Sequence, residues 1–569
     1  MASLLVTETI QYSLNVLDKP LFLLALDAQS AFDRCLPQVL CGELFNVGTQ
    51  GSALLLINNR LRNRTTVYNW NNQMLGPSQD MTGFEQGGLS SADFYKLYNN
   101  IQLKGAQDSS LGVRMSEIVV SGIGQADDVI LVSNDINNLK LLAELSEQYC
   151  KYYRVKLVPS KTKLLPISHP RHKLLVEYSE LVNDVKIDGT LVRFADEAEH
   201  VGIIRSRQGN MTNIVKRISA HKKALLGVGA AGITRTCRTN PAASIRIHNL
   251  YALPVLFSGL ASLVMSKTEL KPLDNHLKNT LQSLQRLHQN TPRAVVFLLG
   301  GSLPAEAILH CRQLSLFLMV CYNPNDLLNK HAQYILTTCK PSSRSWFFQV
   351  RNICTKYGLP DPIDLLKVPP SKTGFKALYK RSISEYWHRI FGDECRGMKS
   401  LKYFKPELYS LTKPHYMWTT VLGRPYESSK STVWARMISG RFRSEMFCRH
   451  FSDNKEGFCR APSCSKVFGT LEHVLVTCPA LIDTRERMYT MWLSETVMFP
   501  TLHAMIQEIL QSDEASKASF FLEPLSVAEI RTDGASYGSH YIEKLSYLSR
   551  TFLFCMNREY INSIKLTLS

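Results

Sequence analysis

Asp27 closes the apolar run Leu21–Leu26, and the pair Asp127–Asp128 lies between the apolar runs Ile118–Ile123 and Val129–Val132. Carboxylates brought to one place repel each other, and a hard cation such as Mg²⁺ removes that repulsion by taking oxygen ligands from both sides. The pattern suits a divalent-metal site at which substrate phosphates arrive. A second constellation is softer. Cys459, Cys464, His473 and Cys478 follow the spacing C-x4-C-x8-H-x4-C, a ligand set for tetrahedral Zn²⁺. Four protein ligands leave no open position for a substrate, so this is expected to be one structural zinc, serving as the core of a segment too short to fold by burial.

Particular elements must position these groups. Leu21–Leu26 is too apolar and too short for an exposed helix, and it reads as a buried strand delivering Asp27 to its carboxyl end. Ile118–Ile123 and Val129–Val132 read as a hairpin with Ala126, Asp127 and Asp128 at its tip, so neighbouring strands bring Asp27 and Asp127 side by side. Between them, in GFEQGGLSSADFYKLYNN, the glycines Gly83, Gly87 and Gly88 allow close backbone approach to a ligand before an amphipathic helix begins near Ser90 or Ser91. Helical patterns at Thr7–Val16, Gly48–Leu61, Ser91–Leu103 and Ile136–Arg154 alternate with the strands, which predicts an α+β unit over residues 1–208. Asn210–Leu226, Lys271–Gln289 and Pro304–Cys321 carry apolar residues at helical spacing, so residues 209–450 read as helical, with a boundary at the Pro-rich, basic stretch Pro360–Lys376. Residues 451–490 hold the Cys/His set, and residues 491–569 are expected to be mostly helical. The sequence Gly227–Gly232 fits G-x-G-x-x-G but follows a helix and lacks the later acidic residue of a dinucleotide site, so it reads as a helix end.

The three polar motifs occur in an order that resembles reverse transcriptases of the non-LTR (LINE-like) retrotransposon type. LDAQSAFD looks like motif A of their palm, QGGLSS like motif B and ADD like motif C. Pro159–Lys163 stands where such enzymes carry a lysine motif, and Glu199–Ile203 where they carry a primer-gripping hairpin. The resemblance implies a palm over residues 1–208, a helical thumb and extension over 209–450, a zinc-binding module over 451–490 and a carboxy-terminal helical segment. It implies an RNA-directed DNA polymerase using two Mg²⁺ ions, with Mn²⁺ as an alternative, held by Asp27, Asp127 and Asp128. Ala28 would add a carbonyl ligand, Phe32 would exclude a ribose 2′-hydroxyl, Gln86 and Gly87 would lie at the nascent base pair, and Lys161 would neutralise or protonate pyrophosphate. Phe32 equally suits core packing, and Asp33 suits a helix or turn cap. The chain departs from the family pattern at Glu85, Ala92 and Gln125. Asp27 lies so near the start that the resemblance implies a chain without fingers. RNA template, DNA primer and deoxynucleoside triphosphates are the implied partners.

Charge supports a polyanionic partner. Of the formal +18, residues 1–170 contribute nothing, with 14 Lys plus Arg against 15 Asp plus Glu, whereas residues 201–450 carry 37 against 12. Such an excess beside a carboxylate site suits an enzyme that grips phosphate backbone with a neighbouring region. Arg205, Lys216, Arg217, Lys222 and Lys223 are the expected template and primer contacts, joined by Arg441 and Arg443 ahead of the zinc ligands. At 569 residues and 45% hydrophobic the chain can build substantial cores. Ala252–Met265, the longest membrane candidate, is too short to span. No signal-peptide pattern opens the chain, and its 14 cysteines lack the spacing of a disulfide framework. An intracellular protein without a membrane segment is expected, nuclear or in a cytoplasmic ribonucleoprotein. Two other readings remain open: a catalytically inactive, retroelement-derived nucleic-acid-binding protein, and a zinc-stabilised interaction protein.

Overall fold

The computed structural model describes residues 1–62, 64–79, 82–85, 88–169, 185–230, 239–324, 326–449, 454–461, 463–526 and 539–568. The fold is α+β, with helices predominating. Two compact units emerge: Met1–Lys216 with Gly259–Glu269 and Arg312–Lys376, and Arg217–Ser258 with Leu270–Cys311 and Ala377–Ser569.

The first unit opens with α1 (Ala2–Asn15), β1 (Leu21–Leu26), β2 (Ala28–Gln29), α2 (Pro37–Asn46), α3 (Gly51–Arg62), β3 (Thr65–Trp70), β4 (Gln73–Gln79) and α4 (Ser91–Asp108). It continues with β5 (Val113–Met115), β6 (Ile118–Val120), β7 (Gly122–Gln125), β8 (Asp128–Ser133), α5 (Ile136–Tyr152), β9 (Lys156–Leu157), β10 (Lys163–Ile167), β11 (Lys186–Ile187), β12 (Thr190–Leu191), β13 (Arg193–Phe194), β14 (Glu197–His200) and β15 (Ile203–Ser206). The main sheet has the order β13-β10-β1-β8-β7. A continuous apolar run belongs in a strand buried on both faces, and LFLLAL accordingly takes the central position, antiparallel to both β8 and β10.

Helix α5 covers one face of that sheet. Asp135 caps it by accepting from the Asn137 N–H, and Ile136, Leu139, Leu142, Ala143, Ser146, Tyr149 and Cys150 form its buried stripe at helical spacing. A second cluster joins α2, α3 and α4 through Leu40, Leu44, Leu61, Phe84, Tyr95 and Tyr98. The Tyr98 hydroxyl, donating to the Tyr153 carbonyl at 2.9 Å, satisfies its polar end. Helix α1 is pinned by Glu8, a fully buried carboxylate that accepts from Ser345 Oγ at 2.6 Å and the Trp346 N–H at 2.7 Å.

Two readings of the run Ile118–Ile123 separate here. Instead of one strand it forms β6, which pairs with β5, and β7, which pairs with β8, broken at Ser121. The β3–β4 hairpin turns through Asn71 and Asn72, both at positive φ, a turn that suits the twist of paired strands. Nearly every residue of that hairpin is exposed, Trp70 at 70% and Met74 at 70% among them.

Helices and connecting loops make up the second unit. In the 30-residue helix Ser539–Leu568, Leu545, Leu548, Phe552 and Met556 are buried, and it packs along helix Pro425–Ile438. Arg550 in that interface donates to Glu427 at 2.8 Å. Trp418, Trp434 and Trp492 are fully buried. The stretch Pro360–Lys376, expected as a boundary, holds the short helix Pro362–Lys367 and the start of the helix Lys372–Arg396, inside which the division between the units falls. Among the described residues no single helix is long and apolar enough to cross a membrane, and no described cysteine forms a disulfide.

Candidate functional site

The register of the central strands decides which carboxylates meet. Leu26 pairs with Val129, so Asp27, one step beyond, comes opposite Asp128. Gln125 pairs with Asp128, which leaves Ala126 and Asp127 as a two-residue turn, with Ala126 at φ +57°. On the other side of β1, Ala25 pairs with Lys163, and that register carries Lys161 to the flank of Asp27. Lys161 Nζ lies 3.5 Å from Asp27 Oδ2. The same oxygen is shielded from solvent and has no hydrogen-bond partner. The Val158 N–H donates to the Asp27 carbonyl at 2.8 Å, fixing the backbone at this point.

Asp128 records the crowding of charge. Burial and then the Asp127 carboxylate push its pKa up, Glu199 and Asp27 add to the rise, and the Val201 backbone N–H works against it. Glu199 and Val201 come from the β14–β15 hairpin, which turns through Val201 and Gly202 at positive φ. His200 of that hairpin is buried, and burial followed by the Arg205 charge holds it down to about 4. Carboxylates from three segments therefore share one neighbourhood, with Lys161 the cation nearest Asp27. They remain an open set. Among the described residues only a cysteine–histidine group brings three or more ligand atoms within 4.8 Å of one another.

The remaining residues expected at the nucleotide are placed as follows. Ala28 pairs with Leu157 in the short β2–β9 ladder. The Phe32 ring stacks on Tyr95 at 4.6 Å and packs against the α2–α4 cluster. Gln86 and Gly87 lie outside the described residues. Gly83 makes its close approach to the chain itself, not to an open ligand space. A Cβ there would come within 2.9 Å of the Asp33 backbone, and Gly83 donates to the Cys35 carbonyl at 2.8 Å. Glu85 is paired with Arg60 at 2.7 Å.

The cysteine–histidine group comprises Cys459, Cys464, His473 and Cys478. Cys464 Sγ is 3.5 Å from His473 Nε2 and 3.6 Å from Cys478 Sγ. A tetrahedron with metal–ligand bonds of ~2.0–2.3 Å has edges of roughly 3.5–3.8 Å, so the donors already stand near zinc spacing. Thr477 Oγ1, 3.1 Å from His473 Nδ1, occupies the far nitrogen and leaves Nε2 for a metal. Hydrogen bonding from Cys478 holds the Cys459 thiol well below its ordinary value, and the same contact drives Cys478 up. One short ladder, with Cys459 N–H donating to the Val467 carbonyl at 2.7 Å, and the turn His473–Thr477 position the ligands. The segment has an apolar anchor too: Val474 and Leu475 are fully buried, and Arg485 donates to the Leu475 and Cys478 carbonyls. Its residues can bind a zinc-like ion.

No family model and no curated protein matches the chain.

The expected nucleic-acid contacts divide. Arg205 does not lie on an open surface: it is 4% exposed and donates to Thr7 Oγ1 at 2.8 Å and to the Ser3 carbonyl at 2.7 Å. Strand alternation explains this, since Ile203 and Arg205 share the inward face of β15. Lys216 is paired with Glu199 at 2.6 Å, and Lys222 and Lys223 are exposed on the helix Met211–Ala230 that also carries Arg217. Arg441 and Arg443 line a concavity of about 840 Å³ in the second unit together with Arg436, His288, Gln282 and Gln289, and among the described residues no carboxylate lines it. The Arg441 Nε is buried without a partner, and its guanidinium lies 5.8 Å from the Phe447 ring centre. His288 is held down by burial and by Arg441, Arg443 and Arg436. Sequence reading missed Arg436, five residues before Arg441, and His288, which lies about 150 residues before them.

Proposed function

We propose that this chain is the palm-bearing part of an RNA-directed DNA polymerase of the non-LTR retroelement type, extending a primer 3′-hydroxyl with deoxynucleotides. The observation that carries the reading is the strand register that sets Asp27 opposite the Asp127–Asp128 turn, with Lys161 3.5 Å from Asp27. Residues distant in sequence converge on the carboxyl end of the central strand, in the motif order of that family. Two Mg²⁺ ions, when bound, would lower the pKa of the primer hydroxyl and offset charge on the leaving pyrophosphate. Asp27, Asp127 and Asp128 are the residues that would hold them, and the Ala28 carbonyl adjoins Asp27.

The chain's own side chains have further parts. Lys161 offsets the carboxylate charge from the β10 side and would neutralise or protonate a departing pyrophosphate. Phe32, braced by Tyr95, presents a rigid ring three positions beyond Gln29, suited to reading the sugar of an incoming nucleotide. The pocket of Arg436, Arg441 and Arg443 supplies a basic surface for nucleic-acid backbone, and the Cys459–Cys478 group supplies a structural zinc that shapes the segment following it.

Primer extension tests this. Purified chain should extend a DNA primer on an RNA template in Mg²⁺ or Mn²⁺, and Asp127→Asn should reduce extension at least ~100-fold while leaving duplex affinity nearly unchanged, because only the chemical step loses a ligand. Absence of extension by the unaltered chain, with binding retained, would favour the second reading: a retroelement-derived nucleic-acid-binding protein without catalysis. The open carboxylate set and the basic pocket at Arg441, which no described carboxylate lines, favour that alternative.

A further inference from the structure

The buried Arg205 side chain has no counter-ion among the described residues. Its three described hydrogen bonds go to uncharged oxygens, Thr7 Oγ1, Ser3 Oγ and the Ser3 carbonyl, at 2.7–2.8 Å. Its Nε is buried and has no partner. A guanidinium removed from water without a neutralising charge costs several kcal/mol, and burial alone drags Arg205 down to about 9. Such a cost is expected to be offset by something the local carboxylates do not provide.

A concavity of about 280 Å³ in the first unit borders this residue. Arg207 and Arg344 line it as well, and Gln11, Asn15 and Asn210 add amides, whereas among the described residues no Asp or Glu lines it. Among the described residues Arg207 has only a long ion pair, 3.7 Å to the mostly exposed Asp196. Arg344 is exposed and has no ion pair among the described residues. Its backbone adopts φ +51°, a conformation uncommon outside glycine, in the turn before the helix Trp346–Tyr357. Arginines from two separate segments, Arg205 and Arg207 at β15 and Arg344 ahead of the helix Trp346–Tyr357, thus line one space. A carboxylate, with two oxygens, would satisfy one fork; a tetrahedral oxyanion can accept from several at once.

We propose that this pocket, walled by Arg205, Arg207 and Arg344, is an anion site that takes a phosphate group. Neither the carboxylate cluster nor the pocket at Arg441 is part of it, and it does not depend on the polymerase reading. The phosphate can belong to free inorganic phosphate or to a nucleic-acid backbone, and the two sources are separable.

The test titrates full-length protein with inorganic phosphate by calorimetry, and then with a short oligonucleotide in the presence and absence of phosphate. Saturable phosphate binding is expected, weakened at least tenfold in Arg205→Gln and severalfold in Arg344→Gln and Arg207→Gln. Circular dichroism checks that each variant folds. Should Arg205→Gln fail to fold, the two rim variants carry the test. Competition between oligonucleotide and phosphate, lost in the same variants, would assign the source to nucleic acid; phosphate binding without competition would assign it to the free ion. No saturable binding of phosphate or oligonucleotide, or binding equal to the unaltered protein in all the folded variants, would overturn the site.

Discussion

The carboxylates at the end of β1 and the thiols around Cys464 are both candidate metal centres, yet they differ in how far the protein closes them on its own. Cys464, His473 and Cys478 stand within 3.6 Å of their neighbours, while Asp27, Asp127 and Asp128 share a neighbourhood without forming a closed ligand set. Charge explains the contrast. Cys459 and Cys478 hydrogen-bond to each other, one thiol held down and the other driven up so that a proton stays between them, whereas carboxylates ionised at pH 7 hold each other apart. Soft ligands can be assembled ahead of the metal; hard anionic ligands are finished only by it.

The largest expected effect lies on the thiol side. Structural zinc in small peptides is worth ~10–16 kcal/mol of apparent binding energy at pH 7, so Cys464→Ser should lose the one zinc per chain and the hydrogen-exchange protection of residues 457–478. The sheet of β1, β8 and β10 should keep its protection, since burial holds it. Val474 and Leu475 should retain partial order through their apolar packing. Metal analysis showing unchanged zinc in Cys464→Ser would break the comparison at its firmer end.

On the carboxylate side the expectation reverses. Asp127→Asn should leave the melting temperature unchanged or raise it slightly, because a repulsive neighbour of Asp128 disappears, even as extension falls at least ~100-fold. A clear loss of stability would show that Asp127 is a structural partner and not a ligand in waiting.

Acid sharpens the difference further. In the second unit His221 bridges His276 at 2.9 Å and His248 at 3.1 Å, and burial followed by the two other imidazoles holds His221 down to about 3. Below pH 6.5 the unfolded chain therefore takes up a proton that the folded chain refuses. Stability is complete above pH 6.5 and falls as the pH drops toward 3, by ~2 kcal/mol between pH 6.5 and 5 for one such histidine. His248 and His276 shift in the same direction. Asp128, whose folded pKa is raised, shifts oppositely: its cost is present at neutral pH and disappears below the unfolded carboxylate range. Urea midpoints at pH 7 and 5 should show the loss, and His221→Gln should flatten it; an unchanged slope would place the acid sensitivity elsewhere.

The smallest effect concerns the turn that presents Asp127. Ala126 at φ +57° adopts a conformation that glycine reaches without a Cβ penalty. Ala126→Gly should therefore stabilise by up to ~1 kcal/mol, measured by denaturant midpoint. Destabilisation would mean that the Ala126 methyl, packed beside the α2–α4 cluster, outweighs the backbone.

Much of this was readable in one dimension where the signal was local. LFLLAL gave the central strand to the residue, the ADD turn sat between two apolar runs, and the zinc spacing needed only four ligands in twenty residues. Failures came where contacts were distant or a periodicity was misjudged. Arg205 was expected as a template and primer contact because it lies in a basic stretch, although Ile203 two positions earlier marks that face of β15 as inward. Ile118–Ile123 looked like one strand because Ser121 is a weak break. The histidine trio spans residues 221–276 and the Arg436–Arg441–His288 pocket joins remote segments, and no pattern along the chain announces either.

The β3–β4 hairpin has almost no buried residue, and an isolated two-stranded ribbon is at best marginal in water. It is thus the natural place for a protease to nick the first unit, at Tyr68 or Trp70. Such a cut would separate the polypeptide bearing Asp27 from the one bearing Asp127. The two pieces should nevertheless stay together, because β1 from the shorter piece is zipped between β8 and β10 of the longer one. Limited chymotrypsin digestion should yield a stable nicked complex, and the two halves, expressed as separate genes, should reconstitute the sheet by strand insertion.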